Sequence, residues 1–243
     1  MHDVLGTLDL PDTHRGILRD AVSSLESRLA DILHGLVLYG SAVRGGFVPA
    51  FSDLNLLIVL EVSTPEAHTV ISDVVAGARV EIDPFVLARE GLERSFRAFA
   101  VKFDSIHRHY RVLSGADPLA GFELDGELAA LLTEQALRNS RLRAVQAFIH
   151  WRKKPSRYHA WYRHQVPVFM TQMSEVVRLR GVDVPDDFEG RLAVLADAFG
   201  FQRESLDRLL AARDLSRPAQ ADVEQLHRAL FSALNHVIVS ELQ

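Results

Sequence analysis

Residues able to bind phosphate and metal lie between two apolar runs of the sequence, LVLY and LNLLIVL. Both runs are short, continuous and bounded by chain breakers, which predicts two buried strands. Gly40 and Ser41 end the first strand, where a tight turn would leave backbone amides and the serine hydroxyl available to an anion. Asp53 and Asn55 open the second strand, and residues two apart project from one face. The spacing therefore predicts a phosphate site beside a metal ligand.

A purely structural origin of this pattern is the alternative: glycine for turn geometry, with serine and aspartate as local caps. The loop also contains Arg44, followed by the pair Gly45-Gly46 and by Pro49, which prevents a long helix. An arginine among glycines, with apolar strands on both sides, favours the anion site.

The segments Gly40-Ser41 and Asp53-Leu54-Asn55 resemble the signature of the DNA polymerase beta-like nucleotidyltransferase superfamily. That signature is Gly-Ser, a spacer of about ten residues, and Asp-x-Asp on a strand. Tyr39 to Gly45 also reads Tyr-Gly-Ser-Ala-x-Arg-Gly, which is similar to the streptomycin-type aminoglycoside adenylyltransferases and other minimal nucleotidyltransferases. In the superfamily both aspartates hold magnesium on a nucleoside triphosphate. Here the second position is occupied by an asparagine.

The resemblance also implies a third carboxylate on a following strand, which the sequence predicts over residues 79–87. Glu81 and Asp83 are two apart and share a face of that strand. The local pattern Val80-Glu81-Ile82 favours Glu81, and the choice between the two acids stays open. Pro84 cannot donate a ladder hydrogen bond, which predicts an edge strand or a bend there. The candidate metal ligands are thus Asp53, Asn55, Glu81 and Asp83.

The function implied is magnesium-dependent transfer of AMP from ATP to a hydroxyl of a small molecule or protein. Gly40, Ser41 and Arg44 would bind the nucleotide. Asp53, Asn55 and Glu81 would carry catalysis, with the glutamate deprotonating the attacking hydroxyl. The alternative is a catalytically inactive nucleotide-binding or regulatory protein, antitoxin-like, that keeps the fold. An uncharged amide at the second ligand position favours this alternative.

Composition limits the other functions. The 243 residues are 48% hydrophobic, contain no cysteine and carry a net charge of −5. The charge argues against general nucleic-acid binding, and the missing thiols exclude thiolate metal sites and suit a reducing compartment. No apolar run has the roughly 18 residues that span a membrane. We expect a cytoplasmic protein, and the sequence does not predict its oligomeric state.

The remaining periodicity predicts an α+β protein: a small mixed sheet with helices over 1–120, then an all-α bundle over 121–243. Helical spacing precedes the first strand, and Ser63-Thr64-Pro65-Glu66 has the signals of a helix start. After Gly126 the pattern predicts five helices, the second beginning at Val166 with Pro167 in its first turn.

Two further segments contain candidate ligands. Trp151 to His164 interleaves cations with aromatic residues, which could stack a base; a helix end with aromatic packing is the simpler interpretation. His107 and His109 have the spacing of a metal pair on a strand. No acid or third histidine is near them in sequence, so we interpret them as ordinary exposed or hydrogen-bonded histidines.

Overall fold

The computed structural model of the chain describes residues 5–45, 47–49, 52–215 and 218–241. The chain divides into two compact units, Met1–Asp125 and Gly126–Gln243. None of the described helices is both long and apolar enough to cross a membrane.

The first unit is a four-stranded sheet with helices on both faces. Its elements in chain order are α1 Asp12–Arg28, β1 Leu33–Tyr39, α2 Ser41–Arg44, β2 Leu54–Leu60, α3 Pro65–Gly77, β3 Ile82–Ala88, α4 Leu92–Ala98, α5 Ala100–Arg108 and β4 Tyr110–Gly115. The strand order is β3-β2-β1-β4. β1 is antiparallel to β2 and β4, and β2 is parallel to β3, so the sheet is mixed, as predicted.

Each face of the sheet is covered by its own apolar core. One core joins α1 and α3 to alternate residues such as Leu36, Leu56 and Ile58. The other joins α5, through Phe103 and Ile106, to the residues of the opposite face. Because both faces are buried, residues 36–39 of β1 and 56–60 of β2 are continuous apolar runs rather than alternating ones. Pro84 lies on β3, which is an edge strand, as its missing N–H predicted.

The helix α3 begins where the sequence predicted. Thr64 is its N-cap and accepts a hydrogen bond from the backbone N–H of Ala67 at 3.2 Å, and Pro65 occupies the first turn. A cap of this kind satisfies an amide that the helix itself cannot bond, which fixes where the chain leaves β2.

Where the structure describes the second unit, its regular structure is helical throughout. Its elements are α6 Gly126–Trp151, α7 Pro155–Leu179, α8 Phe188–Phe199, α9 Arg203–Ala211, a 3-10 turn Ala212–Asp214 and α10 Gln220–Glu241. The core of the bundle lies mainly between α6, α7 and α10, where side chains such as Tyr158, Phe169 and Leu234 are fully buried. The predicted number of helices agrees with the described part of this unit.

The prediction that a helix begins at Val166 is wrong, because α7 begins at Pro155 and continues through Pro167. Pro155 is tolerated in the first turn, while Pro167 removes an interior hydrogen bond. Buried residues continue on both sides of Pro167, from Tyr158 to Val177. Their packing against the bundle core stabilises the helix across the proline, an effect that local sequence signals do not reveal.

Candidate active site at the strand ends

The turn after β1 has a backbone conformation that glycine adopts readily. Gly40 has φ 80° and ψ −148°, in a region that L side chains rarely occupy. Its carbonyl accepts hydrogen bonds from the amides of Val43 and Arg44, each at 3.0 Å. The amides of Ser41 and Ala42 belong to the first turn of α2 and have no acceptor within that helix. The turn therefore offers backbone donors beside the end of the sheet.

Asn55 lies directly against this turn. A Cβ atom placed on Gly40 would be 3.4 Å from Asn55 Nδ2, an ordinary van der Waals distance, so the amide borders the turn. Asn55 Nδ2 also donates to the backbone oxygen of Asp53 at 3.2 Å. The same side chain keeps Oδ1 as its acceptor atom, which is the atom able to ligate a metal.

Strand register places Asn55 in a row that crosses the whole sheet. It is opposite Tyr39 on β1 and opposite Asp83 on β3, and Tyr39 is in turn opposite Tyr110 on β4. All four positions are at the same end of the sheet, where β1 ends and the other three strands begin. This end is also where the Gly40 turn lies.

Asp83 interacts electrostatically with two neighbours in this region. Burial raises the pKa of the Tyr39 hydroxyl well above its usual range, and the negative charge of Asp83 adds to that effect. Tyr39 therefore stays protonated and can donate a hydrogen bond at any physiological pH. The ammonium of Lys102 is the second neighbour of Asp83.

Sequence reasoning missed Lys102. It lies on α5 with Nζ 4.0 Å from the centre of the Phe85 ring, a cation–π distance. The residue is exposed as a whole, yet removal of water from its ammonium lowers the pKa of Lys102, while Asp83 opposes that shift. No motif marks this lysine, because it is about fifty residues beyond the loop and is brought there by packing.

Glu81 lies one residue before β3 and is exposed. Its backbone oxygen accepts a hydrogen bond from the amide of Leu54 at 2.9 Å, which holds the start of β2 beside it. Glu81 is therefore near the same end of the sheet, outside the row that contains Asn55 and Asp83. Asp53 has the corresponding position, one residue before β2. These two acids thus lie just beyond the strand ends that carry Asn55 and Asp83.

Two predicted anion-binding side chains, Ser41 and Arg44, are half-buried on α2. In the described part of the chain, the Ser41 hydroxyl makes no hydrogen bond and the Arg44 guanidinium makes no ion pair. Within the described residues, neither group has to leave a partner in order to bind a ligand.

The donor set suits a hard cation. Asp53, Asn55 and an acid from the β3 side all offer oxygen atoms, the ligands that magnesium prefers. Across the described ranges, however, no three Asp, Glu, His or Cys side chains come together as a metal-binding group. The groups that could hold magnesium here are the carboxylate of Asp53, the amide oxygen of Asn55 and one acid from the β3 side.

Two other predicted segments contain side chains that pack within their own units. Tyr158 and Tyr162 are fully buried, and the Tyr162 hydroxyl donates to the Leu209 oxygen at 3.0 Å. These two aromatics of the Trp151–His164 segment therefore pack the bundle instead of stacking a base. His107 is on α5 rather than on a strand, and its ring stacks on Tyr110 with centroids 5.7 Å apart.

Fold and site together define an α+β protein with a nucleotidyltransferase-like fold, in which a small mixed sheet with helices precedes a helical unit. No protein-family model and no curated protein matches the sequence. Among solved structures, the chain is similar to the spectinomycin adenyltransferase AAD(9) from Enterococcus faecialis, determined with ATP and spectinomycin. The TM-score is 0.56 at 13% identity, over 88% of this chain and 98% of that chain. At this identity the likeness establishes the fold.

Proposed function

We propose that this protein is a nucleotidyltransferase that binds ATP and transfers AMP to a hydroxyl of a small molecule. The observation that carries the proposal is the contact between the Gly40 turn and Asn55, in a row with Asp83 at one end of the sheet. Phosphate donors and oxygen ligands thus lie together in a fold whose solved neighbour was determined with ATP.

The nucleotide would be held mainly by the turn and α2. Backbone amides at Ser41 and Ala42, with the serine hydroxyl, would donate to the triphosphate. The Arg44 guanidinium offers several donors in a planar fork that matches phosphate oxygens. These groups bind phosphate regardless of the base, so they support a nucleoside triphosphate without selecting ATP.

Magnesium would be held by Asp53, Asn55 Oδ1 and a carboxylate of Glu81 or Asp83. When bound, the ion neutralises charge on the reacting phosphate and fixes its orientation. Because Asn55 replaces the second carboxylate of an Asp-x-Asp pair, the site attracts a second magnesium ion less strongly.

The protein's own groups would handle the proton. Glu81, or Asp83 in its place, accepts the proton of the acceptor hydroxyl as its oxygen attacks the α-phosphorus of ATP. The bond from that phosphorus to the bridging oxygen of the β-phosphate breaks, and pyrophosphate leaves with the electron pair. The product carries AMP on the former hydroxyl oxygen.

A small hydroxylated molecule is the acceptor class that we favour, because the solved neighbour was determined with spectinomycin. A protein hydroxyl is the other acceptor class compatible with the chemistry.

Asn55 favours a second candidate function, that of a nucleotide-binding or regulatory protein without transfer. An uncharged ligand and the lack of a triple acidic cluster in the described ranges both weaken two-metal catalysis. ATP with one magnesium ion could still bind.

Calorimetric titration with ATP and magnesium, combined with a transfer assay on a panel of hydroxylated acceptors, tests both candidates. We expect magnesium-dependent ATP binding that Asp53→Ala abolishes. Asn55→Asp should raise magnesium affinity, because it adds a charge with little change in shape. AMP transfer by the unmodified protein supports the enzyme; binding without transfer, before and after Asn55→Asp, supports the regulatory alternative. No ATP binding at all would contradict both.

A further inference from the structure

We propose that Lys102 is a nucleotide-binding residue whose ammonium holds the triphosphate on the β3 side of the site. It would supply positive charge there, because the uncharged Asn55 lowers the affinity of the site for a second metal ion. The inference rests on the proposed function, since it assigns one more contact to the same nucleotide.

The position of Lys102 is fixed by the helix that carries it. Its neighbours Phe103 and Ile106 are buried against the sheet, with exposures of 0% and 1%, so α5 is anchored there. Lys102 Nζ is 4.0 Å from the Phe85 ring centroid. Phe85 is two residues beyond Asp83 and so projects from the same face of β3. The ammonium is thus held beside the row that contains Asn55.

The charge of Lys102 is not neutralised by direct contact. Lys102 and Asp83 influence each other electrostatically, yet neither side chain makes an ion pair or hydrogen bond within the part of the chain that the structure describes. An ammonium over an aromatic ring has given up part of its hydration, and a phosphate oxygen would restore a strong charged contact. Lysine is a common phosphate ligand because it presents a point charge with three donors.

Another cation of the same helix has a different environment. Arg108 is paired with Asp104 one turn earlier on α5, so its charge is used within the helix. The two cations of α5 thus provide a matched comparison: Lys102 faces the row at the strand ends, and Arg108 is already bound to a carboxylate.

The competing interpretation is that Lys102 only packs on Phe85. Nucleotides of decreasing charge separate the two roles. A phosphate contact beyond the α-phosphate affects ATP most, ADP less, and AMP and adenosine hardly at all. A packing defect that disturbs the sheet end affects all four ligands alike.

The experiment measures dissociation constants of ATP, ADP, AMP and adenosine, with magnesium, for the unmodified protein, Lys102→Gln, Lys102→Arg and Arg108→Gln. We expect Lys102→Gln to weaken ATP binding about tenfold, the size of one charged hydrogen bond, with a smaller loss for ADP. The ATP dissociation constant of Lys102→Gln should also depend less on salt concentration than that of the unmodified protein. Lys102→Arg should retain most of the affinity, and Arg108→Gln should match the unmodified protein. Circular dichroism checks that each variant is folded.

A variant in the Asn55→Asp background gives a second readout. If Lys102 supplies charge in place of a metal ion, Lys102→Gln should reduce ATP affinity less in the Asn55→Asp background, because that variant binds magnesium more tightly. Equal losses for all four ligands, or no loss for ATP, would assign Lys102 to packing on Phe85 and overturn this inference while leaving the proposed function intact. Failure of the unmodified protein to bind ATP would overturn both.

Discussion

At the scale of single residues, the proposed chemistry depends on how charge is distributed around Asn55. The amide of Asn55 carries no negative charge, whereas Asp83 stands opposite it in the sheet and interacts electrostatically with Tyr39 and Lys102. The Asp53-Leu54-Asn55 motif therefore has one carboxylate fewer than an Asp-x-Asp pair, and a lysine lies on its β3 side. Under the proposed function, this balance favours an anionic nucleotide with a single magnesium ion.

Glu81 and Asp83 are predicted to have separable roles. Glu81→Gln should reduce AMP transfer by about 10²- to 10⁴-fold, the usual contribution of a general base, while ATP binding changes little. Asp83→Asn should change magnesium and ATP affinity more than it changes the rate at saturation. Steady-state kinetics and titration on both variants check this pair. Loss of turnover confined to Asp83→Asn would show that Asp83, rather than Glu81, takes the proton.

At the scale of elements, the site depends on the short connection between β1 and α2. Gly40 is the one residue between β1 and α2, and only a residue without Cβ adopts its backbone conformation readily. The amide of Asn55 would meet a Cβ at this position at 3.4 Å, an ordinary van der Waals distance. A single glycine thus sets the direction of the backbone donors, next to a side chain that we propose as a metal ligand.

We predict that Gly40→Ala destabilises the protein by about 1–3 kcal/mol, from strain in that backbone region, and weakens ATP binding as the turn shifts. Gly16→Ala is the control, since Gly16 lies inside α1 and an added Cβ meets nothing within 4 Å. That change should stabilise by about 0.5–1 kcal/mol through helix propensity. Denaturant unfolding and ATP titration measure both effects. A Gly40→Ala protein as stable and as active as the original would show that the turn tolerates a side chain.

At the scale of the whole molecule, the chain consists of two units with separate hydrophobic cores. Leu119 and Phe122 are buried in the core of the first unit that includes α5. Residues 123–127, in contrast, are exposed. The sequence suggested a domain boundary at 120/121, and the exposed stretch lies a few residues beyond it. We propose that this stretch connects two domains.

Limited proteolysis of the intact chain tests that proposal. A protease that cleaves after acidic residues should cut first at Glu123, Asp125 or Glu127, because exposed connections between compact units are the preferred sites of nicking. Two resistant fragments of roughly equal size should result, and mass spectrometry identifies the cut. Early cleavage inside β2 or α7 would instead indicate that the units do not protect themselves separately.

Short-range signals determined much of the fold. The bounds of β2, the Thr64 cap and the edge position of Pro84 follow from apolar runs, capping chemistry and a missing N–H, all of which act over a few residues. The predicted site residues came from spacing and from the resemblance, and their roles remain predictions. What the sequence by itself determined about this protein is therefore a small mixed sheet and a helical second half; the anion-binding turn and the metal ligand at Asp53 stay predictions.

Tertiary structure decided the rest. β1 begins at Leu33 rather than at Leu36, because pairing with Leu60 extends the ladder. α7 passes through Pro167 because a shared core stabilises both sides. Lys102 comes beside Asp83 through the docking of α5 on the sheet. Each of these outcomes depends on contacts between residues far apart in the chain, whose free energy of burial outweighs local preference and leaves no mark in the local sequence.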